Sequence, residues 1–329
     1  MSTTPLIDVQ SLSKQFDVSA PFLQRLINRE PKKWVHAVSD VSLQIRQGET
    51  VALVGESGCG KSTLARLLVG LYAPSAGQIA FDGQDLHKTL ASSQAQALRR
   101  RMQMIFQDPY ASLNPRWRVF DIVAEPLQVH RPELSNAQQV QAVEDLLASV
   151  GLNPKDAIKY PHQFSGGQRQ RISIARALAV SPEFLVCDEP TSALDVSVQA
   201  QVLNLMKDLQ AERGLTYLFI SHNLAVVRHV SDRVGVMYLG RLVELAPTPQ
   251  LFSEPRHPYT QMLLAAIPKM KKGPQSRVPI QGEVPNPLSP PSGCAFHPRC
   301  PQATDICKSQ MPELRSFKGI QIACHHAQE

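Results

Sequence analysis

Residues 50 to 62 constrain this chain more than any other stretch. Thr50 to Val54 reads as a buried strand, and it runs directly into Gly55-Glu56-Ser57-Gly58-Cys59-Gly60-Lys61-Ser62, which fits G-x-x-x-x-G-K-[ST]. A strand, a glycine-rich turn and a helix in that order make a phosphate loop. The glycines let the backbone curl until successive N–H groups point inward, and the helix opening at Lys61 adds its positive end, so an anion satisfies donors that would otherwise need water. Lys61 then reaches the β- and γ-phosphates of a nucleotide and Ser62 holds Mg²⁺, with Thr63 beside it in the first turn.

A second nucleotide element follows at Phe184-Leu185-Val186-Cys187-Asp188-Glu189. Four apolar residues predict a strand buried on both faces, with two carboxylates emerging at its C-terminal end, where open α/β sheets bind ligands. Neighbouring side chains at a strand end diverge. Asp188 is therefore expected to hold Mg²⁺ through water, and Glu189 to orient or deprotonate the attacking water. Short apolar runs alternate with helical patterns elsewhere: Phe184 to Asp188 precedes Val196 to Glu212, and Leu218 to Ser221 precedes Leu224 to Val230. That rhythm predicts an α/β fold with a mostly parallel sheet.

Phe164-Ser165-Gly166-Gly167-Gln168 opens a further helix that runs to Val180. A second glycine-rich helix start is a second anion site, which one nucleotide does not need from one subunit. Here the chain resembles the ATP-binding subunits of ABC transporters, whose signature is Leu-Ser-Gly-Gly-Gln, with Phe164 replacing the leucine. The resemblance implies a P-loop NTPase core of RecA type, an antiparallel β subdomain and a helical subdomain at about 108–165. It also assigns roles. Gln107, after the strand Met102 to Phe106, touches Mg²⁺ and the attacking water. Ser192 to Asp195 crosses a dimer interface, His222 contacts the γ-phosphate, and Phe16 stacks on adenine, with Trp34 an alternative. Ser165, Gly166, Gly167 and Gln168 meet the ATP of a second ATPase subunit.

Composition changes near residue 250. Fourteen of the 26 prolines lie from Pro247 onward, and four of the six cysteines lie in the last 36 residues. Such a tail cannot be mostly helix or central strand, because proline removes a backbone donor and fixes φ. The expected division is therefore an ATP-binding domain at 1–250 and a loop-rich extension at 251–329. Arg256-His257-Pro258-Tyr259-Thr260, with Met262 to Leu264, resembles the C-terminal extension of dipeptide, oligopeptide and nickel importer ATPases.

Cys294, Cys300, Cys307 and Cys324 lack the close pair usual at zinc sites, and their open spacing suits an iron–sulfur cluster, with zinc or unligated thiols as alternatives. The importer extension is similar in carrying a [4Fe-4S] cluster. Cys59 and Cys187 read as small packing residues.

No run of 18 apolar residues occurs, and Met1 to Gln10 lacks the start of a secretory signal, so the chain is expected to stay in the cytosol, and the resemblance implies a peripheral subunit on the cytoplasmic face of the inner membrane. A net charge of +6 fits a phosphate ligand or an anionic membrane surface without requiring nucleic acid. The resemblance implies an ATP hydrolase driving uptake of dipeptides or short oligopeptides. Its partners would be a second ATPase subunit, two transmembrane permeases and an extracytoplasmic binding protein. Nickel or another small solute is the alternative cargo. A soluble ABC ATPase is disfavoured by the single cassette and the lack of sustained heptads.

Pro21 to Ile27 reads as a short amphipathic helix and Arg99 to Arg101 as a solvated helix end. Glu133 to Val150 reads as a helix.

Overall fold

A computed structural model describes residues 4–28, 31–266 and 282–327. The chain forms two compact units, each assembled from separated stretches of sequence.

The first unit takes Asp82–Ser221 together with Ile45–Thr50. Its parallel strands Met102–Ile105, Phe184–Asp188 and Thr216–Ile220 pair in that order, with Phe184 opposite both Met102 and Thr216. The last two are buried at every residue, as near-continuous apolar runs require in a sheet covered on both faces. Parallel neighbours need a crossover, and Val196–Arg213 supplies it. Val202, Leu203, Met206 and Leu209 form its buried stripe, and it stops at Gly214 in the left-handed conformation.

Between the first two strands lie the helices Val119–His130, Asn136–Ser149 and Gly166–Leu178. The second begins three residues later than the apolar pattern suggests. Ser135 caps it, accepting from Gln138 N–H while the Gln138 side chain accepts from Ser135 N–H.

The second unit takes Ile7–Gln44, Val51–Phe81 and residues 222 onward. Thr50–Val54 pairs in parallel with Arg233–Tyr238, Val54 lying opposite Val236. The hairpin partner Arg241–Pro247 then carries the sheet into the C-terminal region, where Ile320–Ile322 and Arg315–Phe317 add two short antiparallel strands. The proline-rich tail is thus tied to the sheet by backbone pairing. A separate antiparallel sheet runs Trp34–Ile45, Ile7–Asp17, Ala76–Phe81. Alternate residues Ile7 and Val9, with Leu12, fill its buried side.

The helix Phe22–Asn28 forms as the apolar pattern predicts, and Leu26 and Ile27 are exposed on it. The side chains of Phe22 and Leu23, and Arg29, lie outside the described residues.

Candidate active site

In the second unit the strand Thr50–Val54 is wholly buried and delivers the chain to the glycine-rich turn. Gly60 has φ 104°, and a Cβ there would strike the carbonyl oxygen of Ala37, so this position excludes any side chain. The helix Lys61–Leu68 begins at the next residue. Lys61 is buried, its Nζ donating to the carbonyls of Gly55 at 2.8 Å and Glu56 at 3.0 Å and lying 3.6 Å from Cys59 Sγ. Cys59 is buried, its thiol pushed up by burial, as a packing residue should be. Ser57 and Gly58 are exposed, while Glu56, Ser62 and Thr63 are half-buried.

The first unit brings together two further expected residues. Gln107 Nε2 donates to Glu189 Oε2 at 3.0 Å, joining the ends of Met102–Ile105 and Phe184–Asp188. Asp188 is buried. Glu189 has φ 48°, a left-handed conformation that a residue with a Cβ adopts only at some cost, and its N–H donates to Ile220 O at 3.0 Å. The left-handed backbone and the bond from the Gln107 amide to the carboxylate fall on the same residue.

The signature helix shows a role that spacing alone does not reveal. Ser165 Oγ accepts from Gln168 N–H at 3.3 Å, and Gln168 Oε1 accepts from Ser165 N–H at 2.9 Å, forming a capping box. Both side chains therefore set the helix start. Gly167 is required by packing, since a Cβ would collide with Val198 of the crossover helix, and Gly166 faces Leu194. Asp195, within the expected interface loop, caps that crossover helix by accepting from Val198 N–H at 3.0 Å. Two arginines fasten the segment after Gln107 to the signature helix: the Arg169 guanidinium lies 3.9 Å from the Tyr110 ring centre, and Arg176 Nη1 donates to Ser112 O at 2.6 Å.

Phe16 is half-buried and meets Tyr72 edge-on with ring centres 5.4 Å apart, and Lys14 Nζ lies 5.1 Å from the Phe16 ring. Tyr72 was not legible as a member of this cluster, because nothing in its local sequence marks it. Trp34 is exposed at the start of its strand. His222 is exposed and precedes Asn223, whose side chain caps Leu224–Val230.

Arg101 departs from the expectation of a solvated helix end. It forks onto Glu183 at 2.6 and 2.8 Å and reaches Asp82 at 2.8 Å, so this arginine is engaged in holding its own unit.

In the extension, Cys294 N–H donates to Cys307 O at 2.8 Å, and Cys307 Sγ lies 3.5 Å from His326 Nε2. Burial pushes the thiols of Cys294, Cys300 and Cys324 up, and proximity to the other cysteines of the set adds to the effect. Among the described residues, no group of three or more His, Cys, Asp and Glu side chains is arranged to hold a metal ion.

Two family models match: the ABC transporter model over residues 38–192 and the oligopeptide/dipeptide transporter C-terminal region over 243–307. Over 324 residues the chain is 49% identical to the oligopeptide transport ATP-binding protein AppF of Bacillus subtilis, covering 97% of each. It belongs to the ATP-binding subunits of ABC transporters. The cassette is also 53% identical over 296 residues to the di/tripeptide transport ATP-binding protein DppF of Pseudomonas aeruginosa, covering 90% of this chain and 91% of that one. Against the dipeptide transport ATP-binding protein DppF of Escherichia coli the identity is 48%, over 97% of this chain and 94% of that one.

Among solved structures, the dimeric ATP-binding cassette MJ0796 bound to ADP and Pi superposes with a TM-score of 0.64 at 27% identity, covering 74% of this chain and 98% of its own. The α/β phosphate-loop fold expected from the motifs is therefore that of an ABC cassette, an ATP hydrolase using ATP and Mg²⁺. Among the described residues no helix is long and apolar enough to cross a membrane.

Proposed function

We propose that this subunit hydrolyses ATP to drive uptake of dipeptides or short oligopeptides through a membrane complex. The observation that carries this reading is the match of residues 243–307 to the oligopeptide/dipeptide C-terminal region, joined to an ABC transporter match in the same chain. The subunit would bind the cytoplasmic face of two permeases in the inner membrane, paired with a second ATPase subunit and fed by an extracytoplasmic peptide-binding protein. The natural division is an ATP-binding domain at 1–250, with its helical part at about 108–165, and an extension at 251–329.

In this mechanism the backbone N–H groups of residues 55–63 cradle the phosphates, and Lys61 moves from its carbonyl partners to the β- and γ-oxygens. Ser62, Asp188 and Gln107 would hold Mg²⁺, which neutralises charge on the β- and γ-phosphates. Glu189 accepts the proton of the attacking water, and the Gln107 amide keeps its carboxylate aimed. His222 contacts the γ-phosphate and Phe16 stacks on the adenine. Ser165 to Gln168 presents its helix start to ATP held by the partner ATPase, so hydrolysis releases the bridge between subunits.

Cys294, Cys300, Cys307 and Cys324 would hold a [4Fe-4S] cluster. The backbone bond from Cys294 N–H to Cys307 O and the open spacing of the four cysteines in one proline-rich tail support a shared ligand set, with zinc the alternative occupant. The group supplies cross-linking, making ligation energy part of the folding energy of a proline-rich tail. Protein purified without oxygen should be brown, with about four iron and four sulfide per chain. Colourless protein with a single zinc overturns the cluster assignment.

For transport, the complex reconstituted in vesicles should take up labelled dipeptide only with ATP and the binding protein. Uptake of nickel but no peptide would reassign the cargo. ATPase activity that never associates with membrane subunits would overturn the importer reading.

A further inference from the structure

Glu56 occupies a position that the phosphate-loop pattern leaves free, and a solvated carboxylate would satisfy the motif. It is instead gripped at two points by the C-terminal extension, within the same compact unit. Arg299 forks onto its carboxylate, Nη1 to Oε2 at 2.8 Å and Nη2 to Oε1 at 2.9 Å. The Glu56 N–H donates to the hydroxyl of Tyr259 at 2.9 Å.

The grip is rigid because its own support is buried. The Arg299 side chain is 2% exposed and that of Glu56 21%. The guanidinium lies about 6 Å from the rings of Tyr238 and Phe296, 5.8 and 6.0 Å to the centroids, and also donates to Tyr238 Oη at 3.3 Å. Tyr238, Tyr259 and Phe296 pack on one another with centroids 4.7 to 5.4 Å apart. Arg299 itself ends the short turn His297–Arg299, its N–H donating to Phe296 O.

We propose that Arg299, with Tyr259, is a positioning residue for the phosphate loop, and that it sets ATP affinity through Glu56. The proposal rests on reading Gly55 to Ser62 as the nucleotide loop. Three glycines in six residues give that loop many conformations, and ATP binding must select one of them. Glu56 is the only charged residue between Gly55 and Gly60. Moving it away would strip a buried guanidinium of its carboxylate, which is far more costly than losing a solvated pair. The brace therefore holds the loop in one form before nucleotide arrives. The brace acts on the loop that cradles the phosphates and not on the attacking water, so the effect falls on binding.

The test uses the full-length chain for ATP affinity and the assembled transporter for KM and kcat. Arg299→Met should raise the Kd and KM for ATP about tenfold while kcat changes less than about twofold. Arg299→Lys, which can make one of the two bonds, should fall between. Glu56→Gln should weaken binding too, and combining it with Arg299→Met should add little, because both remove the same contact. If Arg299→Met does not fold, Arg299→Lys and Glu56→Gln carry the comparison. A lowered melting temperature with wild-type ATP affinity in the folded variants would overturn the proposal and leave Arg299 a docking contact only. Lys61→Ala serves as the separate check: if it binds ATP normally, the reading of the loop itself fails.

Discussion

At the residue scale the informative position is Glu189. Its φ of 48° is unfavourable for a residue with a side chain, yet it is maintained by a backbone bond to Ile220 and by the Gln107 amide on its carboxylate. Glu189→Gln should keep ATP binding and reduce hydrolysis by about 10²–10⁴-fold, trapping the closed ATPase pair. ATP turnover in the assembled complex checks this, and a wild-type rate would remove Glu189 from its role. The placement of single residues was legible where a motif fixes both type and spacing: Lys61 and Ser62 open their helix, and Asp188 ends its strand with Glu189 next. They were illegible where the partner is remote in sequence. Arg101 looked like part of a basic run, but its carboxylates, Asp82 and Glu183, come from distant turns.

At the scale of elements, helix starts were readable and their tethers were not. The signature helix begins where its glycines suggest, but the reciprocal Ser165–Gln168 cap shows that part of the signature is there to build the helix end. Ser165→Ala should cost about 0.5–2 kcal/mol of stability besides any effect on ATP, measurable by denaturant unfolding.

The helix Pro258–Ala265 carries a pH-dependent element. His257 caps it, its Nδ1 accepting from Tyr259 N–H, while Glu244 accepts the N–H groups of Arg256 and His257 at 3.0 Å. Burial lowers the His257 pKa from 6.5 to about 4. The folded chain therefore refuses a proton that the unfolded chain takes up between pH 6.5 and about 4. Stability is fully present above that window and falls as pH drops through it, by on the order of 3 kcal/mol at its lower end. His257→Asn, which can still cap but does not titrate, should flatten the difference between melts at about pH 7 and about pH 5.

At the scale of the whole molecule, the sequence reveals strands and helices in order but not how they are shared out. The proline and cysteine gradient marks a change near residue 250, yet the second compact unit combines stretches from near the start, around the phosphate loop and after residue 222. Strand pairing over such separations depends on side-chain fit that no local pattern encodes. The tail illustrates this. Its proline content argued for loops, and it still supplies Ile320–Ile322 to the edge of Arg241–Pro247. Replacing Cys294, Cys300, Cys307 and Cys324 by serine should leave the tail poorly ordered, so limited proteolysis read by mass spectrometry should cut within 282–327 first.

The pairing of Arg299 with Glu56 joins residues 243 positions apart. A ribosome adding about 5–20 residues per second finishes the loop about 12–50 s before it adds the arginine that steadies it. Nascent and truncated chains would thus carry the whole glycine motif yet grasp nucleotide weakly, and full competence would arrive only as translation nears its end.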